Sequence, residues 1–231
     1  MTIYSQSGRG IMLHFFRLFL ASLLGLLLVS CTRSITVSGE MPSPLVARLP
    51  LSIGLIFEPG FSTHIHSQVD DGPSNSGAWE VSLGESQYEL FVTVTESMFQ
   101  RVARVDTFDC RFEDSDEGQV SLRPDGCLKI KLVEYAIGPP SFVGGDSYAV
   151  SLTYEIGLID AKGNLIDAWP EVVGYSKSEG NLFNAEDTIN KLTVEALRDV
   201  GGHLALDWRK RERVSAWLDA SALRSEAKPI M

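Results

Sequence analysis

Between positions 148 and 158 the chain alternates without a break. Tyr148, Val150, Leu152, Tyr154, Ile156 and Leu158 stand two apart, with small or polar residues between them. A period of two lines one face of a β-strand, so this stretch predicts a half-buried strand and argues against a helix. "DAKGN" at 160–164 follows, with Gly163 where a left-handed turn residue belongs, and the residues from Leu165 to Tyr175 are expected to pair back as a hairpin.

Other segments fall into place around that hairpin. "LPLSIGLIF" at 49–57 is a short apolar run expected to be a buried strand. From Glu58 to Ala78 the chain carries Pro, Gly, Ser, Asn and Asp without apolar period, which predicts a long loop. Ser82 and Glu85 have the spacing of a capping box, and Phe91, Val94, Met98 and Val102 then recur at helical intervals. A strand is expected from Val102 to Phe108, and Leu128, Ile130 and Leu132 alternate with Lys129 and Lys131 as another. Ile189, Leu192, Ala196, Val200 and Leu204 form the apolar seam of a helix over about 185–208, and a short last helix is expected near Val214 to Leu218. The order β-α-β-β-β-β-α predicts an α+β class: a single two-layer domain, with a mixed four- to five-stranded sheet and two main helices packed on one face. The expected boundaries are 1–30 for a signal segment, 31–48 for a flexible tether, 49–220 for the domain and 221–231 for a tail.

Charge narrows the partners. All Asp and Glu lie beyond residue 30, and removing Arg9 and Arg17 from the 20 basic residues leaves 18 against 30 acidic ones, a net of −12. Nucleic-acid phosphates need Lys/Arg neutralisation, so such a body is a poor match for them. An anionic bilayer would repel it as well, so membrane attachment must come from something other than charge.

That something stands at the N-terminus. After Arg9, His14 and Arg17, the residues from Leu18 to Val29 form an apolar run interrupted only by Ser22 and Gly25, the length of a signal-peptide core rather than of a membrane span. Met12 is a second candidate start, one that would leave a compact signal of ordinary proportions. The run ends at Leu28-Val29-Ser30-Cys31. This segment resembles the lipobox of bacterial lipoproteins. The resemblance implies cleavage between Ser30 and Cys31, a diacylglycerol on the Cys31 thiol and, in many Gram-negative bacteria, acylation of the new amine. Two or three chains, at about 0.8 kcal/mol per buried methylene, hold a protein on a bilayer effectively for good. Thr32, where an inner-membrane lipoprotein often has Asp, implies the periplasmic face of the outer membrane. The competing readings are an uncleaved anchor, or an ordinary secretory signal with an incidental cysteine.

Export would leave Cys110 and Cys127 as an even pair where disulfides persist. They flank a polar stretch expected to be a loop, and bridging it would contribute about 3 kcal/mol. Two buried thiols or a metal pair are the alternatives; no His or other Cys lies at ligand spacing from either, which argues against metal. The layout of lipobox, tether, long first helix, long hairpin "YAVSLTYEIGLIDAKGNLIDAWPEVVGY" and C-terminal helix "TVEALRDVGGHLALDW" resembles small envelope-assembly lipoproteins. Among these are the lipopolysaccharide-assembly lipoprotein and the penicillin-binding-protein activators. The likeness implies a contact role and carries over no catalytic or binding residue.

Candidate chemistry is sparse. His64 and His66 would share one face of a strand, half of a zinc or copper site that carboxylates such as Asp70 and Asp71 would have to complete; solvated loop histidines are the plainer reading. No G-x-S-x-G elbow, phosphate loop or EF-hand loop occurs, so no cofactor is expected. "WRKRERVSAW" at 208–217 offers Arg209, Lys210, Arg211 and Arg213 between two tryptophans. They form either a helix end whose cations complement the carbonyl dipole or a docking patch for an acidic partner. Phe61 and Trp79, expected to be exposed in the Pro59–Trp79 loop, are a second candidate contact. The expected function is that of a membrane-anchored, non-enzymatic binding or assembly factor of the cell envelope. The alternatives are an envelope metalloprotein or hydrolase using His64 and His66, and a small-ligand-binding lipoprotein with a pocket between helices and sheet.

Overall fold

The alternating run does become the longest-paired strand of the protein. A computed structural model of the chain describes residues 32–70, 77–105, 110, 124–138, 147–179 and 184–226. Its strands are β1 (Thr32–Thr36), β2 (Leu49–Phe57), β3 (Ile65–Asp70), β4 (Gly77–Ser82), β5 (Phe99–Arg104), β6 (Gly126–Gly138), β7 (Ser147–Asp160) and β8 (Leu165–Glu179). Its helices are α1 (Gly84–Met98), α2 (Ala185–Asp207) and α3 (Glu212–Glu226), with single 3-10 turns at Phe61–Thr63 and Trp208–Lys210. From Arg33 onward the chain is one compact unit.

Five strands form a mixed sheet in the order β5-β2-β6-β7-β8. β2 is parallel to both β5 and β6, as the β2-α1-β5 crossover requires, while β6, β7 and β8 run antiparallel in succession. The hairpin register brings Ile156 opposite Trp169, and Gly163 takes up φ 85° in the turn, a conformation that costs glycine little and other residues much more. The Asp160 carboxylate accepts from the amides of Lys162 and Asn164, both at 2.8 Å, and closes the turn. The α+β architecture with helices over the sheet agrees with the pattern in the sequence.

Alternation decides which face is which. Ile53 and Leu55 of β2, Leu128 and Ile130 of β6, and the even-numbered row of β7 join the main core with Phe91, Val94 and Met98 of α1. The predicted seam of α2 is buried from Ile189 through Leu204, each large side chain contributing about 1.5–3 kcal/mol. Ile56, Val105, Cys110, Cys127 and Ile159 make a second, small cluster, and Ile56 sits between main-core neighbours on β2, so this cluster backs the sheet's other face. Cys110 and Cys127 are disulfide-bonded there, with Cα atoms 5.9 Å apart and both side chains fully buried.

Five expectations need correction. The 31–48 tether is built into the fold from Thr32 on: β1 is a strand, Ile35 and Val37 are buried, Asn190 exchanges hydrogen bonds with Ser38, and Arg198 donates to the Glu40 carbonyl. The 58–78 loop contains two strands, which with β1 form a second sheet in the order β1-β4-β3. The capping box does not form, because Ser82 ends β4 and α1 starts behind Leu83 with no side-chain cap. Helix α1 stops at Met98 rather than running to Val102, since Phe99 turns extended and buries its ring edge-on to Trp208 at 5.2 Å. The last helix is also longer than the five residues expected. Among the described residues, no helix is long and apolar enough to cross a membrane.

Candidate functional site

The parallel strands β2 and β5 end side by side, and the chain leaves β2 through Glu58-Pro59-Gly60 into the 3-10 turn. In open α/β sheets the carboxyl ends of parallel strands are where ligands gather. Two hollows occupy that position and share the Glu58–Phe61 segment as lining. The first, about 250 Å³, is lined by Phe57, Tyr88, Arg104 and Val105 together with that segment. The second, about 210 Å³, adds His64, Gln87 and Leu132.

Packing fixes the walls. Phe57 stacks on Phe61 at 4.9 Å and tilts against Tyr88 at 5.1 Å. The Arg104 guanidinium lies 4.7 Å above the Tyr88 ring and also donates to its hydroxyl. Lys131 faces Glu58 at 3.8 Å across solvent-exposed ground, so that pair contributes little stability. The floor is polar but satisfied. Gln87, fully buried, donates to the Phe61 carbonyl at 2.6 Å and accepts from the Tyr154 hydroxyl at 3.0 Å. Gly84 allows the start of α1 to press on the 3-10 turn, since a Cβ there would lie 2.4 Å from backbone atoms of Ser62 and His64. The amides of Leu83 and Gly84 both donate to the His64 carbonyl, which replaces the missing side-chain cap.

Burial shifts the titration of three groups in this region. Burial pushes Tyr154 well above the ordinary phenol range, and it raises Tyr135 to about 12 despite a hydrogen bond with Thr193. Both hydroxyls stay protonated at neutral pH. His64 is held below its usual value, first by burial and then by the charge of His66. What the hollows offer is an aromatic wall, the Arg104 guanidinium, the Glu58 carboxylate, the His64 imidazole and the Gln87 amide.

The sequence candidates fare unevenly. His66 lies in β3 with its ring 4.8 Å from Tyr135 and its Nε2 3.3 Å from Gln68 Oε1, so it is a packed residue. Among the described residues, no three or more His, Cys, Asp and Glu side chains gather where they could hold a metal; Asp71 lies outside those residues. Phe61 and Trp79 are not open contacts: they are 5% and 0% exposed, because β3 and β4 turn the supposed loop into a wall of the core. Three of the four cations at 209–213 are engaged within the fold. Arg209 donates to the Ala47 carbonyl, Lys210 pairs with Asp207, and Arg211 bonds Asp167 at 2.9 Å while covering the Trp169 ring. Arg213 is exposed, and Trp208 and Trp217 are buried. Ser30 and Cys31 lie outside the described residues. Gln87 and Arg104 were missed by sequence reasoning, though Gln87 carries a signal: it is a polar residue four before Phe91 on an apolar helix face.

No family model matches the sequence, and no curated protein matches it. Among solved structures, a Xanthomonas campestris protein of family DUF330 is similar at a TM-score of 0.50 and 12% identity, over 84% of this chain and 99% of that one. A homolog of a neuraminyllactose-binding hemagglutinin from Helicobacter pylori follows at 0.44 and 11%, over 80% and 98%. A minor lipoprotein from Acinetobacter baumannii scores 0.35 at 12%, over 69% and 90%. At 12% identity the Xanthomonas likeness establishes a shared fold alone.

Proposed function

We propose that this protein is a lipoprotein of the bacterial outer membrane, acylated at Cys31 after cleavage behind Ser30, whose periplasmic domain binds another envelope component without catalysing a reaction. The observation that carries the reading is the apolar run that ends at Leu28-Val29-Ser30-Cys31. A net charge of −12 beyond residue 30 gives a reason for a covalent anchor. The aromatic and guanidinium lining of the cleft beside Arg104 supports contact chemistry, and its two hollows are the contact surface. Two measurements test the proposal. Intact-mass analysis of protein purified from membranes should show a chain starting at Cys31 plus diacylglycerol and an amide-linked acyl group, and a bare thiol would refute the anchor. Crosslinking in intact envelopes should capture a reproducible partner that Arg104→Ala and Tyr88→Ala weaken about tenfold or more; a partner unaffected by both places the contact elsewhere.

A further inference from the structure

The anchor reading above leaves open how the domain stands on its membrane, and chain connectivity together with strand direction answers that. Lipidated Cys31 is followed at once by Thr32, the first residue of β1, so a single peptide link of about 3.8 Å separates the acylated residue from the sheet. A link that short keeps the start of β1 close to the headgroups.

The end of the molecule that carries Thr32 can be traced strand by strand. β1 lies beside β4 and runs the same way, for Val37 donates to the Ser82 carbonyl while Arg33, four residues earlier, covers the Trp79 ring at 5.0 Å. β4 is antiparallel to β3, with Ala78 opposite Val69 and Gly77 opposite Asp70. β3 in turn follows β6 in the same direction. His66 packs on Tyr135, and two residues on, Gln68 clasps the backbone of Ile137 through both its amide atoms at 2.7 and 3.1 Å. The start of β1 therefore coincides with the end of β3, the end of β6 at Gly138 and the beginning of β7. Burial raises the Tyr148 phenol and the charge of Arg33 partly offsets it, which agrees with the two ends lying together. The 160–165 turn lies at the other end of β7, twelve residues from Tyr148 and so about 40 Å away.

We propose that the domain stands upright on the bilayer, with the Thr32, Val69, Ala78 and Tyr148 end of its sheets nearest the lipid headgroups and the 160–165 turn about 40 Å farther out. The partner surface is a phospholipid headgroup layer, met by the short link rather than by charge. Val69, 66% exposed, and Ser34, on the outer face of β1, report from the near end; Leu165, 64% exposed, reports from the far end.

This inference rests on the acylation reading, and its test separates the two. Full-length protein is lipidated in a bacterial host, its acylation checked by intact mass, and reconstituted into vesicles of phosphatidylethanolamine and phosphatidylglycerol. With Cys31 acylated and Cys110 bonded to Cys127, a thiol introduced by V69C, S34C or L165C is the one free site for an environment-sensitive fluorophore. Headgroup-labelled quencher lipids should quench the V69C and S34C labels at least threefold more than the L165C label. Inserting about twenty Gly/Ser residues after Thr32 should erase that difference. Acylated protein with equal or reversed quenching, or a difference that survives the insertion, overturns the upright orientation and leaves the anchor intact. Protein without acyl chains overturns both. Two near-end reporters guard against one label disturbing its strand.

Discussion

Strand β3 and the five-stranded sheet are held in place by different physics. The five-stranded sheet buries rows of aliphatic and aromatic side chains under two helices, and its order follows from area removed from water. The three-stranded sheet turns His66 and Gln68 inward from β3 and leaves Ile65 and Val69 outward and exposed. Its strands β1 and β4 share the main core through Ile35, Val37, Trp79 and Val81, whereas β3 is fastened by polar contacts, with Gln68 clasping the Ile137 backbone by two hydrogen bonds. Burial is a collective force that tolerates local variation, whereas a clasp of two hydrogen bonds depends on one residue.

The sharpest way to break that comparison is to cut each sheet at its strongest point. Phe91→Ala removes a fully buried ring that meets Tyr154 edge-on at 4.9 Å, and it should lower stability by about 3–5 kcal/mol in denaturant melts. Removing the bridge with Cys110→Ser and Cys127→Ser should cost about 3 kcal/mol, measured as a lower melting temperature, since the two lie 17 positions apart. Gln68→Ala takes both clasp bonds from Ile137 and should cost about 1–2 kcal/mol. In that variant, hydrogen exchange should rise across β3 and β4 while β7 stays protected; a uniform rise would mean that the two sheets open together.

The smallest expected effect is at the hairpin turn. Burial tends to raise the Asp160 carboxyl, but bonds from the Asn164 side chain, the Asn164 and Lys162 amides and the Lys162 charge outweigh it, so its value falls below 3.8. A lowered carboxyl stabilises the fold above its unfolded value and loses that contribution as pH drops through the folded one. The advantage of wild type over Asp160→Asn, read from melts at a series of pH values, should therefore hold at neutral pH and shrink below about 3.8.

The same contrast explains what could be read from sequence. β7, the turn at Gly163 and the seam of α2 were legible because hydrophobic period and turn chemistry coincide with the fold, and the Cys110–Cys127 bridge followed from pairing arithmetic. β3 was not, since "IHSQVD" has the inverse of the usual pattern, with polar side chains inward, and its partners sit on β4 and near Ile137 far along the chain. Phe61 and Trp79 looked exposed for that reason alone. The Ser82/Glu85 spacing misled because Ser82 gives its carbonyl to Val37 as a strand residue, while the amides at the head of α1 find the His64 carbonyl instead. The cleft beside Arg104 arises only where β2 and β5 end together, a juxtaposition set by a crossover and not by any local motif.

The parallel run of β1 beside β4 has a mechanical meaning. A pull applied at residue 32 acts along the axis of β1 and loads its hydrogen bonds in shear, so they must yield together rather than peel apart one at a time. Beyond that strand, the Ser38–Asn190 pair and the grip of Arg198 on Glu40 carry the tension into α2. A tug from the N-terminus is thus spread through the body before any single bond can fail.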